Sequence, residues 1–126
     1  MNEQETTKKK LEAALEVLGR ARLNISNEAK AQVELSLYFQ KIGLNFEKEY
    51  RLDEGIVDFF LPDSGIAIEL KVDKGWSKTK VFRQCERYCQ SDEVHGIILA
   101  TGAYQGLPEK INGKPALVFQ MGQLAL

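Results

Sequence analysis

The chain has 126 residues, enough for one domain around a single buried core. Hydrophobic residues make up 44% and charged residues 28%, with a net charge of -1. Those values exclude a disordered chain, and no overall basicity announces a nucleic-acid partner. The apolar runs fall far short of the roughly 20 residues that cross a bilayer. The opening MNEQETTKKK lacks the apolar core of a secretion signal. A soluble, cytoplasmic protein with no membrane partner is therefore expected. Its two cysteines, Cys85 and Cys89, would be reduced thiols on the inner face of a helix.

From about Thr7 to Arg22, Leu11, Ala14, Leu15, Leu18 and Ala21 recur at helical spacing. The break at Asn24-Ile25-Ser26-Asn27 offers Ser26 or Asn27 as N-cap of a second helix. Ala31, Leu35, Tyr38, Phe39 and Ile42 form its apolar stripe, and Gly43 stands where a C-terminal cap belongs. Three strands are expected next, over Phe46 to Leu52, Ile56 to Leu61 and Ile66 to Val72. Pro62-Asp63-Ser64-Gly65 is turn chemistry between the last two. A third helix runs from about Ser77 to Gln90, and a strand from Val94 to Thr101. Gly102 to Gly113 reads as a loop with one helical turn, and Ala116 to Met121 as a last strand, placed at a sheet edge by Pro115. The order predicts an α/β sandwich with a mixed sheet flanked by helices. Residues 1–25 would form an extra N-terminal helical extension and 26–126 the main domain.

With a four-residue turn, Leu61 pairs with Ile66, and the register carries Asp58 to a place opposite Glu69 on the same face. Lys71, two residues beyond Glu69, shares that face. Like charges facing each other across strands destabilise a sheet, and these strands are otherwise very apolar. Two carboxylates so placed make a hard oxygen site that suits Mg2+, with Mn2+ as a substitute, and the Leu70 carbonyl is a further candidate ligand. A metal there would acidify a bound water and stabilise charge on a phosphate. Lys71 would orient or deprotonate that water, or balance the phosphate charge; the sequence does not choose. In the plainer reading both acids face solvent on a half-exposed sheet. A one-residue slip in register would separate them.

From Lys71 to Arg87, Lys71, Lys74, Lys78, Lys80, Arg83 and Arg87 stand against only Asp73 and Glu86, a local charge of +4. That cluster adjoins the acids and points to phosphate contact, against the alternative of a solvated helix face. Trp76 would stack on an unpaired base or pack on the sheet edge.

Ile56-Val57-Asp58, ten residues, then Glu69-Leu70-Lys71 resembles the motif of the PD-(D/E)xK nuclease superfamily, which includes restriction endonucleases, Holliday junction resolvases, VRR-NUC domains and RecB-like nucleases. The resemblance covers roughly Asn27 to Thr101, although Val57 stands where the family's name has proline. It implies a restriction-endonuclease-like fold, Asp58 and Glu69 as metal ligands, and Lys71 as the catalytic lysine. The family often adds an acid from the preceding helix, and Glu34 is the candidate, unless it is simply an exposed helix residue. Gln84-Cys85-Glu86-Arg87-Tyr88 is similar to the QxxxY element of the RecB-like branch, which makes Gln84 and Tyr88 candidate site residues; Tyr88 alone would read as a core aromatic. The function implied is a Mg2+-dependent DNA endonuclease acting on branched or otherwise structured DNA. A non-catalytic nucleic-acid-binding module on the same fold is the alternative. Branched-DNA enzymes of this fold act as symmetric dimers, and the first helix is the expected interface. Some relatives carry an iron–sulfur cluster on four cysteines, which two cysteines cannot supply.

Overall fold

The computed structural model describes residues 2–24, 26–72 and 76–121, without the side chain of Gln4. In chain order these form α1 (Glu3–Arg20), α2 (Glu28–Lys41), β1 (Glu47–Leu52), β2 (Gly55–Leu61), β3 (Ile66–Lys71), α3 (Lys78–Tyr88), β4 (Gly96–Thr101), β5 (Lys110–Ile111) and β6 (Lys114–Gln120). Each helix starts at a side-chain cap. Asn27 accepts the Lys30 N–H at 3.0 Å, and Ser77 accepts the Lys80 N–H at 3.3 Å. α1 begins ahead of its apolar periodicity because Asn2 accepts the Glu5 N–H at 2.8 Å, and Glu3 and Glu5 lie where the helix dipole favours acids.

The strands form a six-stranded sheet in the order β1-β2-β3-β4-β6-β5. β1, β2 and β3 run antiparallel, while β3, β4 and β6 run parallel, so the sheet is mixed as expected. α1 and α2 cover one face, setting Leu11, Leu18, Leu35 and Phe39 against Phe59, Ile68 and Leu70. α3 covers the other, setting Val81, Cys85 and Tyr88 against Val57, Ala67 and Leu99. β4 is buried along its whole length because helices close both of its faces. The two cysteines are free thiols in the α3-side core, as their helical spacing implied. Among the described residues, no helix is long and apolar enough to cross a membrane.

Several expectations are corrected here. The first helix, read as an extension over residues 1–25, is built into the core: Leu11 and Leu18 are fully enclosed. Its apolar face, the expected dimer interface, is taken up by the sheet, and Leu11 lies so close to Gly96 that an added Cβ would meet it at 3.1 Å. The segment from Gly102 to Gly113 holds no helical turn but the short strand β5, which joins β6 through Asn112-Gly113. Both of those residues have positive φ, 53° and 79°, which is the Asn-Gly hairpin geometry. β6 is interior in the strand order, although β5 covers only its Lys114 and Pro115.

The turn that sets the register has the expected four residues. The Gly65 N–H donates to the Leu61 carbonyl at 2.8 Å, and Leu61, Phe60 and Phe59 pair with Ile66, Ala67 and Ile68. Past Phe59 the pairing becomes irregular. Val57 belongs to the α3-side core and Phe59 to the opposite one, although residues two apart in a regular strand share a face. On β1, the ladder pairs Lys48 with Phe59 and Tyr50 with Val57, passing over Glu49, whose φ is 53°. Both strands therefore switch faces at Glu49 and Asp58. That twist places an acid where the hairpin opens.

Gly65 has φ of 73°, and an added Cβ would stand 2.8 Å from the His95 ring. Gly65→Ala is expected to lower unfolding free energy by about 1–3 kcal/mol in a urea titration, from left-handed strain plus that clash. An unchanged midpoint would contradict this account of the turn.

Candidate functional site

At the open end of the hairpin, side chains replace ladder hydrogen bonds. The Asp58 N–H donates to Glu69 Oε1 at 3.1 Å, and the Leu70 N–H donates to Asp58 Oδ2 at 2.8 Å. The registered pairs stop at Phe59 with Ile68, so the next position, Asp58 opposite Glu69, is bridged in both directions by carboxylate to main chain. Charge-assisted bonds of this kind are worth roughly twice a neutral one. They hold two carboxyls together in a place that burial disfavours for their charged forms. Lys71 Nζ lies 3.5 Å from Glu69 Oε2. The sequence-derived triad is thus gathered at one end of β2 and β3.

The electrostatics follow from depth. Glu69 is only 2% exposed. Burial first, then the Asp58 charge, pushes its carboxyl up to about 8, against the opposing pull of Lys71 and the Asp58 N–H. Asp58 is raised too, chiefly by burial, with Glu28 adding to the effect and the Leu70 N–H and Lys71 opposing it. Burial also pushes the Cys85 thiol to about 12, with Glu69 contributing, so it stays protonated.

Glu28 is the acid that sequence reasoning missed. It opens α2, accepts the Val72 N–H at 3.0 Å just past the end of β3, and its charge is felt at Asp58. Glu34, the expected helix acid, instead accepts the Asn24 N–H at 3.0 Å and ties α2 to the segment after α1. The signal was available: Glu28 directly follows the Asn27 cap, and a helix start packed beside a strand end brings its first-turn side chains to that end.

Gln84 and Tyr88 act together, and the charges of Glu69 and Asp58 are felt at Tyr88. Gln84 Nε2 donates to the Tyr88 hydroxyl at 2.9 Å, and that hydroxyl donates to the Ile56 carbonyl at 2.7 Å. Tyr88 is 2% exposed, a core aromatic that fixes the backbone two residues before Asp58. Trp76 is half-buried against the α3-side core, with its Nε1 enclosed and without a partner among the described residues. It packs rather than standing free in a loop. Lys78, Lys80, Arg83 and Arg87 are all exposed along α3, and Lys80, Arg83 and Arg87 share one face at helical spacing. Lys74 lies outside the described residues.

Among the described residues, no three His, Cys, Asp or Glu side chains gather closely enough to hold a metal ion by themselves. The donor set for a cation is therefore Asp58 and Glu69, both hard oxygen donors, with main-chain oxygen. Leu70 turns its N–H toward Asp58, and main-chain groups of one strand residue point to the same side, which directs the Leu70 carbonyl there as well. That set fits Mg2+, which keeps several waters and asks for only one or two carboxylates. A buried carboxyl held above its ordinary range is also a group that a cation returns to its charged form.

A raised folded value means that the native state keeps its proton while the unfolded state loses it near 4.5. Stability without metal is then fullest below that pH and falls as pH rises toward about 8. Glu69→Gln is expected to flatten this decline and to raise stability at pH 8 in EDTA by about 1–3 kcal/mol. A stability profile identical to that of the parent chain would contradict the assignment.

Comparison of the chain with protein-family models, with curated proteins and with solved structures finds no match. The reading of the site therefore rests on its own geometry.

Proposed function

We propose that the chain is a metal-dependent nuclease on a restriction-endonuclease-like sandwich, most specifically a Mg2+-dependent endonuclease acting on branched or otherwise structured DNA. The observation that carries the reading is the pair Asp58 and Glu69, bridged by 3.1 Å and 2.8 Å bonds at the open end of a hairpin, with Lys71 3.5 Å from Glu69. A fold that needed only stability would put apolar residues at a cross-strand pair with one member buried and the other half-buried, because two acids there oppose each other.

Asp58, Glu69 and the Leu70 carbonyl would hold the cation, which supplies charge neutralisation and a water of lowered pKa. Asp58 and Glu69 are fixed in place by main-chain N–H groups, so they need no reorganisation when a phosphate arrives. Lys71 shares the open end with them. Its ammonium lies 3.5 Å from Glu69 and is placed to balance phosphate charge or to orient or deprotonate the attacking water. Tyr88 and Gln84 keep the Ile56–Asp58 backbone in position. The exposed basic residues of α3 offer a path for the nucleic-acid backbone beside the acids.

The binding-module alternative needs none of the paired acids, and the experiment separates the two. Single-stranded, duplex, flap and four-way-junction DNA are incubated with the protein and Mg2+ or Mn2+. Metal-dependent cleavage is expected, strongest on a branched substrate, and Lys71→Ala should lower its rate by about 100-fold or more. No cleavage of any substrate, or full activity in Lys71→Ala, would sink the nuclease reading. Binding without cleavage would favour the module.

A further inference from the structure

Beyond β4 the chain makes a short loop at the same end of the sheet as the acids. Thr101 pairs with Lys71 in the β3–β4 register, and the Gly102 N–H donates to the Lys71 carbonyl at 3.0 Å. Tyr104 follows two residues later, at most about 7 Å of extended chain away. It is 78% exposed, more than any other large hydrophobic side chain among the described residues.

The exposure does not reflect a loose loop, because the residues on either side of Tyr104 are tied down. The Ala103 N–H donates to Thr101 Oγ1 at 3.0 Å, and its carbonyl accepts from Gln120 Nε2 at 3.1 Å. Gln105 is buried and donates from Nε2 to the Lys78 carbonyl at 3.2 Å, which pins the loop to the first turn of α3. Lys78 Nζ stands 6.0 Å from the Tyr104 ring centroid. An exposed aromatic ring on a pinned loop, with an ammonium over one of its faces, has the two features of a single-strand contact: a π-face for a base and a cation for its phosphate. Trp76, for which the sequence left stacking and packing open, is half-buried against the core.

We propose that Tyr104 is a base-stacking platform at the mouth of the Asp58–Glu69–Lys71 site, with Lys78 engaging the adjoining phosphate. On the nuclease reading, on which this rests, the substrate carries an unpaired nucleotide next to the bond that is cut. A stacking residue contributes most where the base is already free of its partner, so single strands and junctions are favoured over continuous duplex.

The test is fluorescence anisotropy with a labelled single-stranded DNA and a blunt duplex of the same length, in Ca2+ so that binding is read without hydrolysis. Tyr104→Ala is expected to weaken single-strand binding by about 5- to 50-fold and duplex binding by less than about twofold. Tyr104→Phe should keep both affinities, since the ring and not the hydroxyl makes the contact. Single-strand affinity within about twofold of the parent in Tyr104→Ala, or equal loss on both probes, would overturn the platform. Cleavage in Mg2+ is measured separately on the same proteins. A Tyr104 effect without cleavage supports the platform and overturns the nuclease reading; cleavage without a Tyr104 effect does the reverse.

Discussion

The constraint on which this molecule turns is the burial of Glu69 beside Asp58. Burial raises the proton affinity of both carboxyls, the Asp58 charge raises that of Glu69 further, and the crossed main-chain bonds and Lys71 oppose the shift. The surrounding architecture serves the arrangement. The four-residue turn at Pro62–Gly65 sets the register, the face switch at Glu49 and Asp58 opens the hairpin, and Tyr88 clamps the Ile56 carbonyl from behind. Helices on both sides of the sheet keep water from the strands and so deepen the electrostatic penalty.

Most of the fold was legible because its signals are local. Asn27 and Ser77 announce helices through their caps, and Pro62-Asp63-Ser64-Gly65 announces a turn whose length then fixes which residues face each other. The paired acids followed from that turn by counting alone. What failed was whatever depends on tertiary contact. The polar start of α1 carries no apolar period, and its packing against β4 and β6 could not be read from a break in the sequence at Asn24. The Asn112-Gly113 hairpin was visible in principle, but β5 is only two residues long and offers no strand pattern.

The site was legible to a similar depth. Asp58, Glu69 and Lys71 lie on neighbouring strands, so spacing brings them together. Glu28 and Glu34 lie on a helix whose direction across the sheet is set by packing, so helical periodicity alone does not say that Glu28 reaches the end of β3 while Glu34 bonds the Asn24 N–H. Trp76 and Tyr104 show the same limit. An aromatic residue in a loop declares nothing about exposure until its neighbours are placed, and here Trp76 is half-buried against the core while Tyr104 stands open to solvent.

The central claim is that Asp58 and Glu69 form a cation site, and the most direct measurement is calorimetric titration of Mn2+ into the metal-free protein near pH 7, repeated in buffers of different ionisation heat. Binding at one ion per chain is expected, with net proton release because the cation draws Glu69 into its charged form. Asp58→Ala should remove both the binding and the proton release. Absence of binding in the parent chain, or binding unaltered by Asp58→Ala, would contradict the account.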